Sequence, residues 1–308
     1  MNRDHNLLSA NRTMPDHPEK SVIFTADDFG LSDGLNGAVA LAHRRGVLRC
    51  ASLMAAGPRT RAALHLAREL PDLCLGVHLT LIQGRSVLPP QALPNLVTSQ
   101  SLFRHNPVAA GWRYFHQPNL LPEIRRELAA QIETVLRAGL PVWHLNGHVN
   151  LHLHPRIFPV VVDLAREYHI PAIRLAREDW RATLALAPDH PLPKIAQGLI
   201  FALLCRRAET IARSAGLVFN NHVFGLLNDG RMTGDYLLGL VPKLKPGVTE
   251  IYAHPGLYAD PELRRWAPHY QRQAELTALL DPRLRDALTA AGVKVTDFRE
   301  LSLAAGAF

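Results

Sequence analysis

Ser21-Val22-Ile23-Phe24-Thr25-Ala26-Asp27-Asp28-Phe29-Gly30 is the stretch that decides the fold. Its first six residues are β-branched, aromatic or small, the composition of a buried strand, and two carboxylates follow at once. Gly34–Arg45 then reads as a helix, with Ser32 or Asp33 as its cap and Gly46 to close it. This strand–helix unit recurs. Cys50–Ala55 leads into a helix over Arg59–Leu70 that Pro71 stops, and Leu73–Leu81 is a third strand. Pro122–Ala138 places Ile124, Leu128, Ile132 and Val135 at helical spacing and ends at Gly139. Val142–Leu145, Ala172–Leu175, Val218–Asn220, Glu250–Ala253 and Val293–Asp297 supply the later strands. Repeated units of this length specify a parallel sheet covered by helices. Seven or eight mostly parallel strands predict an α/β fold, a single-domain (β/α) barrel over residues 21–308, irregular or incompletely closed. Gln83–Leu121, rich in proline and aromatic residues, is expected as a long loop insertion beside the site.

Composition removes several classes. Of 308 residues, 47% are apolar types and 20% charged, which excludes a disordered or fibrous chain. No apolar run approaches the ~20 residues of a membrane-spanning helix. The longest, Leu199–Cys205, stops at Arg206-Arg207 and is expected to be a buried helix segment. Residues 1–20 are polar, without the apolar core of a secretory signal, and are expected to be a disordered tail. Cys50, Cys74 and Cys205 are too few and too separated for a disulfide framework or a Cys-rich zinc site, which suits a reducing cytoplasm. A net charge of +7 invites nucleic acid or an anionic surface. Yet the basic residues fall in pairs, such as Arg44-Arg45, Arg125-Arg126 and Arg206-Arg207, on faces that read as solvated helix, and no nucleic-acid module is present.

Barrel active sites gather at the C-terminal ends of the strands. Those ends here read Asp27-Asp28, then Gly76-Val77-His78-Leu79, then His144-Leu145-Asn146-Gly147-His148 with Asn150, His152 and His154, and later Ala253-His254-Pro255-Gly256. Two carboxylates and several imidazoles therefore face one rim. An aspartate with two histidines is a donor set for one divalent cation that leaves positions open for water and substrate. His43, His65, His105, His116, His169, His190 and His269 are read as core or surface residues.

Thr25-Ala26-Asp27-Asp28-Phe29-Gly30, Gly76-Val77-His78-Leu79, His144-Leu145-Asn146-Gly147-His148 and Glu250-Ile251-Tyr252-Ala253-His254-Pro255-Gly256 occur in the order of the YdjC-like carbohydrate deacetylases, which the chain resembles from about Ser21 to Leu301. Ala51-Ser52-Leu53-Met54, Leu88-Pro89-Pro90 and Leu151-His152-Leu153-His154-Pro155 resemble the branch associated with hopanoid biosynthesis (HpnK). The resemblance implies Asp28, His78 and His148 as metal ligands and Asp27 as the base that activates water. It implies His254 as the group that stabilises the tetrahedral intermediate or protonates the leaving amine. Arg174 is expected to orient a carboxylate or hold substrate, with Asn146, Asn150 and His152 supporting the site. Many relatives carry Asp at the position of Asn146 and His at that of Asn150. Ligand chemistry favours zinc, while the family is often described with magnesium.

The expected reaction is metal-dependent removal of the N-acetyl group from an N-acetylglucosaminyl hopanoid lipid. The expected location is the cytoplasm, peripherally at the inner membrane face, with Trp112, Tyr114, Phe115, Arg104 and Arg113 of the insertion touching the membrane or covering the lipid's polar end. The alternatives are a deacetylase of soluble chitooligosaccharides, a two-metal phosphoesterase and a basic binding protein without catalysis.

Overall fold

In the computed structural model of the chain, residues 19–258, 260, 263, 264 and 267–307 are described; residues 1–18, most of the expected tail, lie outside them. The strands are β1 (Lys20–Phe29), β2 (Cys50–Leu53), β3 (Cys74–Leu79), β4 (His144–Gly147), β5 (Ala172–Ile173), β6 (Val218–Phe219), β7 (His222–Phe224), β8 (Gly247–Ala253) and β9 (Val293–Thr296). All pair in parallel, in the order β6-β5-β4-β3-β2-β1-β8-β7. β9 lies against the first half of β1, and β2 against its second half. The curled sheet is not closed by a ladder. Its edges meet at one bridge, Glu178 to Val223.

That seam explains the strand that sequence reading omitted. Asn220 and Asn221 interrupt what would be one strand and leave β6 and β7 as short pieces. The Asn220 side chain takes over the missing pairing: its Oδ1 accepts from Leu175 N at 2.8 Å, and its Nδ2 donates to Leu175 O at 2.7 Å. A side-chain amide standing in for a peptide leaves no period-2 signal to read.

Helices cover the outside. Among the described residues they include α1 (Asp33–Arg45), α2 (Thr60–Arg68), α3 (Pro107–His116), α4 (Leu121–Arg137), α5 (Ile157–Glu167), α6 (Trp180–Leu186), α7 (Pro191–Ser214), α8 (Gly234–Leu240), α9 (Arg272–Leu280), α10 (Pro282–Ala290) and α11 (Phe298–Ala304). Ser32 Oγ accepts from Leu35 N and caps α1, the first of the two residues offered by the sequence. The strands' N-terminal floor packs Ile23, Cys50, Cys74, Ala172, Val218 and Val248, each from a different strand, beneath Phe298 of α11.

Two expectations are corrected here. Gln83–Leu121 is not loop throughout, because Asn106 caps α3 through Ala109 N and Pro107 occupies its first turn. Tyr114 on that helix is buried and donates to Leu81 O at 2.8 Å, so it anchors the insertion rather than facing outward. Leu199–Cys205 is helical, within α7, but only Cys205 is buried. Leu199, Ile200 and Leu203 face solvent.

Candidate active site

β1 runs past its expected end at Ala26, and its register with β2 shifts between Ala26 and Phe29. Asp28 sits in that irregularity at φ 63°, a left-handed conformation that Asp tolerates better than most residues. The two neighbouring carboxylates consequently serve different partners. Asp28 Oδ1 lies 3.2 Å from His148 Nδ1 and 3.5 Å from His78 Nε2. One donor atom from each of the three falls within 4.8 Å of the others. Asp28 Oδ1 is buried and has no hydrogen-bond partner, an arrangement that favours a bound cation. Burial acts to raise the Asp28 pKa, but His148 and its neighbouring imidazoles outweigh it and hold the carboxylate well below the usual range. Burial works against the charged form of His148 as well, yet Asp28 raises its pKa above the ordinary value.

Asn146 sets the His78 tautomer. Its Nδ2 donates to Ser52 Oγ at 2.7 Å and to Asp27 Oδ1 at 3.3 Å, which leaves Oδ1 to face His78 Nδ1 at 2.8 Å. His78 Nδ1 therefore carries the proton, and the Nε2 lone pair points toward Asp28. Burial lowers the His78 pKa despite Asp27 and Asp28, keeping the ring neutral as a ligand requires.

Asp27 is gripped by Arg174, whose Nη1 lies 2.5 Å from Oδ2 and whose Nη2 lies 3.0 Å from Oδ1. The same guanidinium donates from Nε and Nη2 to Glu250 at 2.9 and 2.8 Å and lies over the Tyr252 ring. Arg174 is wholly buried, and its guanidinium nitrogens are taken up by the two carboxylates. Burial acts to raise the Asp27 pKa, and Arg174 overrides it, keeping the group ionised. Beside Asp28 and His148 opens a groove of about 360 Å³, bordered by Met54, Arg85, Leu102, Val149, Tyr270 and Arg272.

The model of the YdjC-like protein family matches residues 21–290. The chain belongs to the YdjC-like family. This YdjC-like chain is 30% identical over 286 residues to the carbohydrate deacetylase of Vibrio cholerae serotype O1 (strain M66-2), covering 91% of itself and 96% of that protein. It is 33% identical over 281 residues to the carbohydrate deacetylase of Geobacillus stearothermophilus, covering 90% and 96%. Its fold also resembles a crystal structure from Enterococcus faecalis V583 provisionally described as a cellobiose-phosphate cleavage protein. That match has a TM-score of 0.70 at 23% identity and covers 92% of this chain and 99% of the other.

The remaining residues expected in the YdjC-like site divide into those that reach it and those that do not. His254 Nε2 approaches Asp28 Oδ2 at 4.0 Å, and Glu275 Oε2 fixes its backbone N–H at 2.6 Å. Burial drives the His254 pKa down to about 4, so the ring is neutral near pH 7. Asn150, at φ 54°, lines a smaller cavity of about 70 Å³ with Asp27, His78, His148 and His254, and donates to the Tyr252 hydroxyl at 3.1 Å. Asn is among the residues best suited to that left-handed position, a local reason for its presence. His152 is buried beneath the site with Nε2 3.0 Å from Arg174 O. His144 lies in the floor, stacked on Phe298 and close-packed with Cys50 and Cys74, its Nε2 3.1 Å from the Ser52 Oγ that accepts from Asn146, and His154 bonds to Gly111 O outside the rim. His105 and His269, read from sequence as core or surface, border the groove. Asp229, Glu250 and Tyr270 escaped the sequence reading. Asp229 Oδ1 comes within 3.4 Å of His254 Nδ1, and Tyr270 donates to Asp229 Oδ2. The available signal was Asn228-Asp229-Gly230, which reads as an ordinary turn unless β7 before it is recognised.

Proposed function

We propose that this chain is a divalent-metal-dependent N-deacetylase acting on an N-acetylated amino sugar carried on a lipid, an N-acetylglucosaminyl hopanoid. The observation that carries the hydrolytic reading is one unpartnered buried carboxylate oxygen facing two imidazoles, next to a second carboxylate held ionised by Arg174. Asp28, His78 and His148 would hold the ion. When bound, a divalent ion of this kind lowers the pKa of water and polarises an amide carbonyl. Two imidazoles and a carboxylate suit zinc best, with magnesium the family's alternative.

Asp27 takes the proton of the attacking water, its position fixed by the Arg174 fork and the Asn146 amide. His254, neutral and with its Nδ1 turned to the Asp229 carboxyl, donates a hydrogen bond from Nε2–H to the oxyanion that develops at the amide carbon, and the proton that Asp27 took from water passes to the departing amine. Asn146 and His152 position these groups from beneath, and Asn150 shapes the small cavity beside Tyr252.

A groove walled partly by Leu31, Met54, Leu102 and Leu263 suits a sugar with an apolar attachment better than a chain of sugars, which would need a polar trough. The reaction is assigned to the cytoplasmic face of the membrane. Elemental analysis combined with acetate release tests the reading. One bound divalent ion per chain is expected, with higher kcat/KM on a glucosaminyl polyol lipid than on N,N'-diacetylchitobiose. Equal kcat/KM on both would replace the lipid with a soluble chitooligosaccharide, and no acetate release from either would remove the deacetylase reading.

A further inference from the structure

The solvent side of α7 has the wrong chemistry for solvent. Leu192, Leu199, Ile200 and Leu203 are 53–77% exposed, and with exposed Ala196 they fall at helical spacing along one face. α3 adds a second exposed apolar set, Val108, Trp112 and Phe115, with Trp112 63% exposed. The turn at Leu153–Phe158 joins them. On one side Leu153, Pro155 and Phe158 pack against α7 around Leu203 and Ala208. On the other, His154 contacts Gly111 O at 3.1 Å and Arg156 donates to Phe115 O at 2.8 Å. Of the eleven large apolar side chains exposed among the described residues, seven lie on these two helices. A patch this concentrated marks an interaction surface.

Charge identifies the partner. Residues 73–122, 134–162 and 190–208, which supply α3, the turn and most of α7, contain no Asp or Glu but eight Lys and Arg. Arg104, Arg156, Arg206 and Arg207 are exposed. The acids that bound the α7 stretch are already paired, Asp189 with buried Lys194 and with Arg231, Glu209 with Arg177 and Arg213, so the exposed arginines carry the free charge of this face. A second copy docking face to face would set cations against cations. An apolar strip with a tryptophan and a basic border matches an anionic lipid surface, where the apolar side chains enter the acyl boundary and the arginines meet headgroups.

We propose that α7 and α3 together form a docking face for an anionic phospholipid bilayer. The same Leu153–Phe158 turn continues from His148 and Val149, which line the groove, so one short segment links the docking face to the site. The inference deepens the lipid-linked reading and rests on it for the use of the contact, while the contact itself needs no turnover.

Sedimentation with vesicles of phosphatidylglycerol and phosphatidylcholine in equal parts, against pure phosphatidylcholine, tests it on the full chain. Binding to the anionic vesicles is expected, weakened by 0.5 M salt. Leu199→Ser/Leu203→Ser and, separately, Arg206→Gln/Arg207→Gln should each reduce it at least roughly tenfold. Acetate release from a soluble N-acetylglucosamine oligomer should be unchanged in both, which shows that fold and site are intact. Absence of binding at low salt, or equal binding by the variants, overturns the proposal. So does a wild-type dimer that the leucine variant converts to monomer without loss of vesicle binding. Vesicle binding without acetate release from any substrate would leave the docking face standing and count against the deacetylase reading alone.

Discussion

Asp27 and Asp28 are adjacent in sequence and separate in chemistry because β1 slips register between Ala26 and Phe29 and Asp28 turns left-handed. In the proposed reaction Asp27 touches water and Asp28 touches the ion. Asp27→Asn should therefore keep the ion and lose roughly 10²–10⁴-fold in turnover, the usual contribution of a positioned base. Loss of metal from this variant would reverse the two assignments. Arg174 makes a different prediction. It lies wholly buried between Asp27 and Glu250, and Arg174→Met strands two buried carboxylates. Such a loss costs about 3–5 kcal/mol, so the denaturant midpoint should fall sharply, more than for Asp27→Asn. Asn150 is a milder case. Its left-handed backbone and its bond to Tyr252 predict that Asn150→His leaves metal content unchanged, while a large gain in acetate release would make Asn150 a weakening substitution.

At the scale of elements, what could be read in the sequence was what repeats. Buried strands advertise themselves by β-branched runs, as in Ser21–Ala26, and the strand ends delivered Asp28, His78 and His148 to one rim because a parallel barrel points all its C-terminal ends the same way. Exceptions to the repeat were illegible. β7 is three residues long and follows an asparagine whose side chain replaces ladder bonds, so Asp229 after it looked like a turn residue. α7 misled for a related reason: an apolar run normally means burial, but here it faces outward, a departure that only the surrounding lack of acids could have flagged. The seam itself is testable. Asn220→Ala leaves Leu175 N–H and C=O without partners and should cost about 1–3 kcal/mol, read as a lower urea midpoint with unchanged slope. An unchanged midpoint would mean that water replaces the amide.

For the whole molecule, the barrel's incomplete closure places a titratable group in its wall. Glu178, at the bridge between the sheet edges, accepts from Leu226 N at 2.8 Å and Leu227 N at 3.0 Å. Burial raises its pKa from the ordinary 4.5 to about 7, against the pull of these bonds and of Thr183. The folded chain thus keeps a proton that the unfolded chain has already released, and this group's contribution to stability is lost as pH rises from about 4.5 through 7. Glu178→Gln cannot ionise. Its stability relative to wild type should improve between pH 5 and pH 8 in paired melts, and a constant difference across that range would show that Glu178 does not titrate there.

The proposed deacetylase chemistry rests on Asp28, His78 and His148, brought together by three strand ends, holding one ion. Metal content per chain, measured by elemental analysis on wild type, Asp28→Ala, His78→Ala and His148→Ala purified side by side, tests it. One divalent ion in wild type and a sharp loss in each variant are expected, with thermal stability falling only modestly because the barrel core does not depend on the ion. Metal content unchanged in all three variants would contradict the assignment.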